Sequence, residues 1–475
     1  MQSFALNALD KALAFLLGLF LLLAVIRGGN TPFAMSVALG LSICVATAAG
    51  FLIIASRSMA TRRSSAAMNF NGALLILLVG GAVGLITVAA PQWLTLPGRD
   101  AYAAVVALLA LPDFNVQHLA LSTDAFATKR AILALVPCIA VAASIPLLSR
   151  RALLQLLGAL ALFVVFEALI GLFQLGFRGA SLLVFDYAGH NRASGTFVNK
   201  NHYATMLAMV LPLLIFRAAG QFSFFTHRND ASSLSNVCWG AATAFVAAAL
   251  VASLSRAGVL AGTIVGLTAA GMCAFQRRHF SKRLLFAVLG LLLLALALAA
   301  MTGLAQLIRS TFSGGVGDGL FGRTVMNEHT WTGIVSFFPL GAGLGSYAIA
   351  FQRFQTPTLL GYVEYAHNDY LQLLFELGAL GVVVLLLLVI AAVLSGRTLW
   401  RARVRGDRLS PALACYLGAF AFAIHAWFDF PSHIPAVAIL ATLLFAASMN
   451  LALVDVGRKR PAPAPLTRAG ISNPP

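Results

Sequence analysis

The chain has 475 residues, of which 60% are hydrophobic and only 10% charged, whereas a soluble domain carries about a quarter charged residues. Apolar runs of about 20 residues, long enough to cross a bilayer core as helices, recur from end to end and exclude a soluble globular protein. A net charge of +17 would point a soluble chain toward nucleic acid, but here the basic residues cluster between apolar runs, where membrane topology accounts for them.

The expected fold is all-α and polytopic, with about twelve transmembrane helices near 11–26, 33–55, 71–90, 131–148, 152–175, 202–219, 236–254, 258–275, 284–302, 370–394, 411–429 and 434–454. With the N-terminus inside, alternate connections collect Arg57, Arg62 and Arg63, then Arg150 and Arg151, then Arg217 and Arg228. Further along come Arg277, Arg278, Lys282 and Arg283, then Arg397, Arg401, Arg403, Arg405 and Arg408, and finally Arg458-Lys459-Arg460. This obeys the positive-inside rule and places both termini in the cytoplasm. The first run lacks a small-residue cleavage site and reads as a retained helix. Five cysteines, at 44, 138, 238, 273 and 415, show no paired spacing and indicate neither a disulfide framework nor a metal site.

The chain divides into nine spans (1–302), a large outer loop (303–369), three further spans (370–456) and a proline-rich cytoplasmic tail (457–475) that reads as disordered. Among the outer connections, 91–130 holds an apolar patch, Ala103–Leu111, that is too short to span and reads as interfacial. Residues 176–201 form a second long connection, and SLSRAG is a tight turn that opens the eighth span at Arg256. The loop 303–369 runs through a glycine-rich stretch and PLGAGLGSYAIAFQRFQ to a polar cluster, His367-Asn368-Asp369, with helix expected around Thr324–Phe337.

Cationic and imidazole side chains gather on this outer side, each next to a helix start. Arg192 precedes VNKNHYATM, where Asn199 or Asn201 can cap the sixth span, and Arg256 opens the eighth. Arg323 follows the glycine run and His367 opens the tenth span. Helix N-termini present unpaired N–H groups that suit phosphate, and arginine adds a planar fork that stays charged. Together they describe an anion site at the outer interface. Lys200 is open to two readings, a phosphate contact or a headgroup anchor, and Arg353 reads as a solvent or headgroup contact.

His367 is the candidate general base, because a neutral imidazole can take a proton from a hydroxyl near neutral pH. Asn368 or Asp369 can cap the following helix. Asp369, Gln372 and Glu376 share one helix face at steps of three and four, and interhelical hydrogen bonding explains Gln372 and Glu376 at least as well as chemistry does. Glu167, inside the fifth span, is read the same way. His425 and Asp429, four apart at the end of the eleventh span, aim a second polar pair at the same surface; with His433 they supply too few ligands for zinc at this spacing.

Taken together, RASGTFVNKNHYATML, SLSRAGVLAG, GRTVMNEHTW, PLGAGLGSY, AHNDYLQLLFELGALG and HAWFDFPSHIPA resemble the O-antigen ligase and polymerase superfamily of bacterial envelope glycosyltransferases. They occur in that family's order over roughly 185–450. The resemblance implies a GT-C-like enzyme of the bacterial inner membrane with its site facing the periplasm. Its expected partners are an undecaprenyl-diphosphate-linked glycan donor, a polysaccharide or lipid A-core acceptor and membrane lipid, without nucleic acid, cofactor or metal. By the same resemblance Arg192 and Arg256 take the donor diphosphate, His367 is the essential histidine and Arg323 is a weaker match to a family arginine. Asn368, Asp369, Asn199, Lys200, His425 and Asp429 are supporting residues. A protein O-oligosaccharyltransferase shares the same donor site. A polysaccharide-precursor transporter or flippase is the alternative from another class, disfavoured because the polar groups lie at span ends and the two halves are unlike.

Overall fold

In a computed structural model, residues 11–15, 17–18, 122–176, 192–225, 233–276, 320–357, 359, 361–403 and 410–457 are described, and among them the only regular elements are helices. The spans expected near 33–55, 71–90 and 284–302, most of that near 11–26, the patch Ala103–Leu111 and the tail beyond Gly457 lie outside these residues. Among the described residues, six helices are long and apolar enough to cross a membrane.

The elements follow local signals. Helix α1 (Ala125–Ser144) starts where the Asp124 side chain accepts from the Ala127 N–H. Helix α2 (Arg150–Gly176) returns and leads into the loop before α3 (Lys200–Ala218), which Asn199 caps by accepting from Asn201 N at 2.8 Å. Helix α4 (Ser233–Ala252) turns sharply into α5 (Arg256–Gln276), as the SLSRAG pattern predicts. Leu254 carries that turn at φ 54°, and Ser255 Oγ accepts from Gly258 N.

Helix α3 is the centre of the bundle. From His202 to Leu214 every side chain is buried, and α4, α5 and α10 (Ser410–Ala426) pack around it. Close approach relies on missing side chains. A Cβ on Gly258 of α5 would collide with Ala204, and one on Gly418 of α10 would collide with the Met209 carbonyl. Without a hydrophobic drive inside lipid, such small-residue contacts are how helices gain dispersion energy. Helix α11 (Pro435–Gly457), opened by a proline whose missing N–H costs nothing at a helix start, packs on α1 and α10; Asn450 Nδ2 donates to the Ile145 carbonyl at 2.8 Å.

A second, smaller core sits beside the bundle. Helix α6 (Leu320–Phe337), which covers the helix expected at Thr324–Phe337, contributes Ile334 and Phe337. The short α7 (Tyr347–Ala350) and the turn after it contribute Tyr347 and Phe351. Both pack on Phe375 of α8 (Asp369–Leu377). Backbone hydrogen bonds lock the glycine-rich strap to α8: Ala342 N donates to Phe375 O and Gly343 N to Glu376 O. The strap is tied in turn to the start of α1 by Thr123 N, which donates to Ala342 O.

The single tenth span expected at 370–394 is two helices. Gly378, at φ 55°, ends α8, and a Cβ there would strike the Pro339 carbonyl; α9 (Ala379–Arg403) then begins with Ala379 N donating to that same carbonyl at 2.8 Å. Positive φ next to backbone is a glycine position, so the apolar run is broken here even though its hydropathy is continuous. Helix α9 is the span proper, and its 18-residue apolar window is only 6% buried.

Candidate functional site at one end of the bundle

The starts of α1, α3, α5, α9 and α11 and the ends of α4 and α10 meet at one end of the bundle, as the cross-links between them show. The polar residues singled out in the sequence collect there in two groups.

The first group surrounds the loop before α3. Ala193 N donates to Ala252 O at 2.9 Å, which pins the segment beginning at Arg192 to the end of α4. Lys200 Nζ donates to the Leu254 carbonyl at 3.1 Å, two residues before Arg256 at the first position of α5. Arg192, Lys200 and Arg256 are therefore gathered about one turn, beside the N-termini of α3 and α5. The loop is held from behind by α2. Glu167 Oε2 accepts from Thr196 N at 3.0 Å and Oε1 from Thr196 Oγ1 at 2.9 Å, while Gln174 Nε2 donates to Gly195 O at 2.7 Å. Gly195 has φ 56°, and the space a Cβ would take is filled by the Glu167 carboxylate. Glu167 thus has a hydrogen-bonding role, as its position inside a span predicts, and Gln174 is a residue that sequence reasoning missed.

The second group is built on His367. This residue has φ 50°, a left-handed conformation uncommon outside glycine. Asn368 follows as the cap of α8, its Oδ1 accepting from Tyr370 N and Leu371 N at 3.1 Å each. Cap and strained backbone together fix where the imidazole stands. Nδ1 of His367 lies 2.9 Å from Asp429 Oδ1; the imidazole is 31% exposed and the carboxylate 1%, so the ring faces outward on a buried anchor. Because a carboxylate only accepts, Nδ1 carries the proton and Nε2 is left as the basic nitrogen.

Burial alone would raise the pKa of Asp429, but the hydrogen bond and charge of His367, with His202 and His425 nearby, outweigh it and hold the carboxyl below the usual range. Oδ1 also accepts from Phe430 N at 3.1 Å, and Oδ2 is buried with no hydrogen-bond partner among the described residues. Phe430 is a hub: His202 and His367 stand edge-on to its ring at 5.0 and 4.9 Å, and Tyr365 stacks on it at 4.2 Å. His202 was not singled out in the sequence. Its only signal was its place three residues after a capping asparagine.

The remaining residues divide differently from the sequence expectation. Helix α10 ends at Ala426, so Asp429 lies in the turn beyond it. His425 Nδ1 is instead 2.8 Å from Thr205 Oγ1 of α3. That hydroxyl donates its proton to Asn201 O, so it accepts from His425 Nδ1–H. His433 turns to a third partner, Asp369, at 3.1 Å. Gln372 Nε2 donates to Glu376 Oε1 and to His433 Nε2, both at 3.0 Å, while its Oε1 accepts from Ala366 N. His425, Asp429 and His433 thus face three different partners, and among the described residues no group of three His, Cys, Asp or Glu side chains is placed to hold a metal. Arg323 NH1 donates to the Phe428 carbonyl at 2.7 Å, tying α6 to the turn that carries Asp429.

These features define a multi-pass helical membrane protein whose polar residues converge at one end of the bundle. Residues 241–386 match the family model described as O-antigen ligase. The match covers less than half of the chain and is what this segment is similar to, in keeping with the resemblance seen in the sequence; it includes Arg256, Arg323 and His367, while Arg192 and Asp429 lie outside it. No curated protein matches the chain.

Proposed function

We propose that the protein is a lipid-diphosphate-dependent glycosyltransferase that moves a glycan from undecaprenyl diphosphate to a hydroxyl of a growing polysaccharide or of a lipid A-core sugar. The observation that carries this reading is the His367–Asp429 pair at 2.9 Å, standing across the first turn of α3 from Arg192, Lys200 and Arg256. The acceptor oxygen attacks the anomeric carbon as its proton passes to Nε2 of His367. The bond from that carbon to the diphosphate oxygen breaks, and undecaprenyl diphosphate departs with its electron pair. The leaving group carries its own negative charge, so the enzyme has to stabilise that charge rather than protonate it. Arg256, at the N-terminus of α5, and Arg192, in the loop before α3, supply fixed positive charge there. Arg323 orders the Asp429 turn and contributes to the same positive field.

One positioned base and no carboxylate assigned as nucleophile favour a single displacement with inversion, and the arginines serve the charge-neutralising role that a metal ion fills elsewhere. On a topology of twelve spans with both termini in the cytoplasm this end of the bundle faces the periplasm, a reading favoured by Arg150, Arg151, Arg217, Arg397 and Arg401 at the opposite helix ends. The test is reconstitution in liposomes with a lipid-diphosphate glycan and candidate acceptors. Release of undecaprenyl diphosphate together with an inverted product supports the reading. Retention of anomeric configuration sinks the mechanism, and movement of intact donor across the bilayer means transport instead.

A further inference from the structure

Helix α6 has two apolar faces. Ile334 and Phe337 point into the small core around Phe375. On the other side Trp331, Val335, Phe338 and Leu340 are 56%, 63%, 52% and 40% exposed. Trp331 and Val335 are one turn apart on a single stripe, and Phe338 and Leu340 continue it into the turn. Four large apolar side chains in ten residues are too many for an aqueous surface to leave uncovered without a reason.

Their position supplies the reason. Pro339, between Phe338 and Leu340, accepts the hydrogen bond from Ala379 N, the first residue of α9. Helix α9 is a span whose outward residues Val382, Val383, Leu386 and Leu387 are exposed and must be covered by lipid. The patch on α6 is therefore continuous with a lipid-facing surface at the level where that surface begins. Polarity along the stripe is graded. Thr324 and Glu328, two turns and one turn before Trp331 on the same exposed face, are polar. A tryptophan at the boundary between the polar and apolar halves is the usual interfacial anchor.

We propose that the C-terminal half of α6, from Trp331 through Leu340, is seated in the lipid of the leaflet on the site's side, with its N-terminal half lifting into water. The occupant of this face is the bilayer itself. The geometry is that of an interfacial helix, which binds by burying one apolar face into the headgroup and acyl boundary. The segment preceding His367 is thereby moored to the membrane surface as well as to α8.

The test uses the full-length protein in phosphatidylethanolamine–phosphatidylglycerol nanodiscs, with its native cysteines replaced and a nitroxide placed singly at Val335→Cys, Phe338→Cys or Glu328→Cys. Collision with oxygen should exceed collision with a water-soluble nickel chelate at 335 and 338, with the order reversed at 328. Greater chelate access at 335 and 338, or exclusion of both reagents there by covering protein, overturns the proposal. A measurement that needs no cysteine replacement guards against misfolding: Trp331 emission, taken as wild type minus Trp331→Phe, should be quenched by brominated acyl chains in the same discs. Unquenched Trp331 emission also overturns it.

Discussion

Lys200 and His202, two positions apart in the first turn of α3, serve opposite halves of the site. Lys200 Nζ donates to the Leu254 carbonyl beside Arg256, at 3.1 Å, while the ring of His202 meets Phe430 at 5.0 Å, across from His367. One helical turn therefore sets the distance between the proposed diphosphate and the proposed base.

The pairing of His367 with Asp429 predicts that Asp429→Asn is nearly as damaging as His367→Ala. Asparagine can donate to Nδ1 and drive the ring proton onto Nε2, which removes the base. Loss of a general base costs about 10²–10⁴-fold, and the measurement is glycan transfer by protein that elutes normally in detergent. Near-normal turnover by Asp429→Asn would separate the aspartate from catalysis.

A pH dependence of stability comes from the same carboxylate. Its folded pKa lies below its unfolded value, so its contribution is fully present above the ordinary carboxylate pKa of about 3.9 and is lost as pH falls toward the folded value. Thermal melts of wild type and Asp429→Asn should therefore differ by a constant margin above that pH and converge below it. A margin that grows on acidification contradicts the assigned direction.

For the arginines, Arg192→Ala and Arg256→Ala should each lower transfer by about 10²–10³-fold, the usual cost of removing one charge-stabilising group. Lysine at either position should restore only part of this, because a point charge lacks the bidentate fork. The readout is transfer rate alongside unchanged melting temperature. Full rescue by lysine would argue for simple charge in place of geometric recognition.

At the joint between α8 and α9, Gly378→Ala should destabilise the protein by about 1–3 kcal/mol through overpacking against the Pro339 carbonyl, with strain at positive φ added. Glu376→Gln should cost a similar amount, about 1–3 kcal/mol, for the buried polar group left unsatisfied. Gly345 N keeps an acceptor there, but the new amide nitrogen meets the Gln372 amide, donor against donor. Melting temperatures in one detergent check both.

Much of this was readable from residue order alone, and the exceptions have physical causes. Caps write themselves in local sequence, so helix starts could be read at Asn199 or Asn201 and at Asn368 or Asp369, the structure using the first of each pair, and Arg256 as the opening of α5 after a tight turn. The common face of Asp369, Gln372 and Glu376 followed from helical periodicity. Pairings across long separations leave no such trace: nothing local joins His367 to Asp429, His425 to Thr205, or Arg323 to Phe428. The break at Gly378 was hidden because hydropathy runs unbroken through it. What stops the helix is the Pro339 carbonyl, almost forty residues earlier in the chain.

The burial of α3 on every side has a mechanical consequence. A helix encased from His202 to Leu214 by α4, α5 and α10, with glycines serving as contact points, cannot turn or slide without opening voids on several sides at once. It therefore acts as a stator, fixed when the chain folds rather than when substrate arrives. On the proposed function, any adjustment to glycans of different size falls to the small core of α6 to α8, which meets its surroundings through the joint at Gly378 and individual hydrogen bonds such as those of Thr123, Arg323 and Ala379.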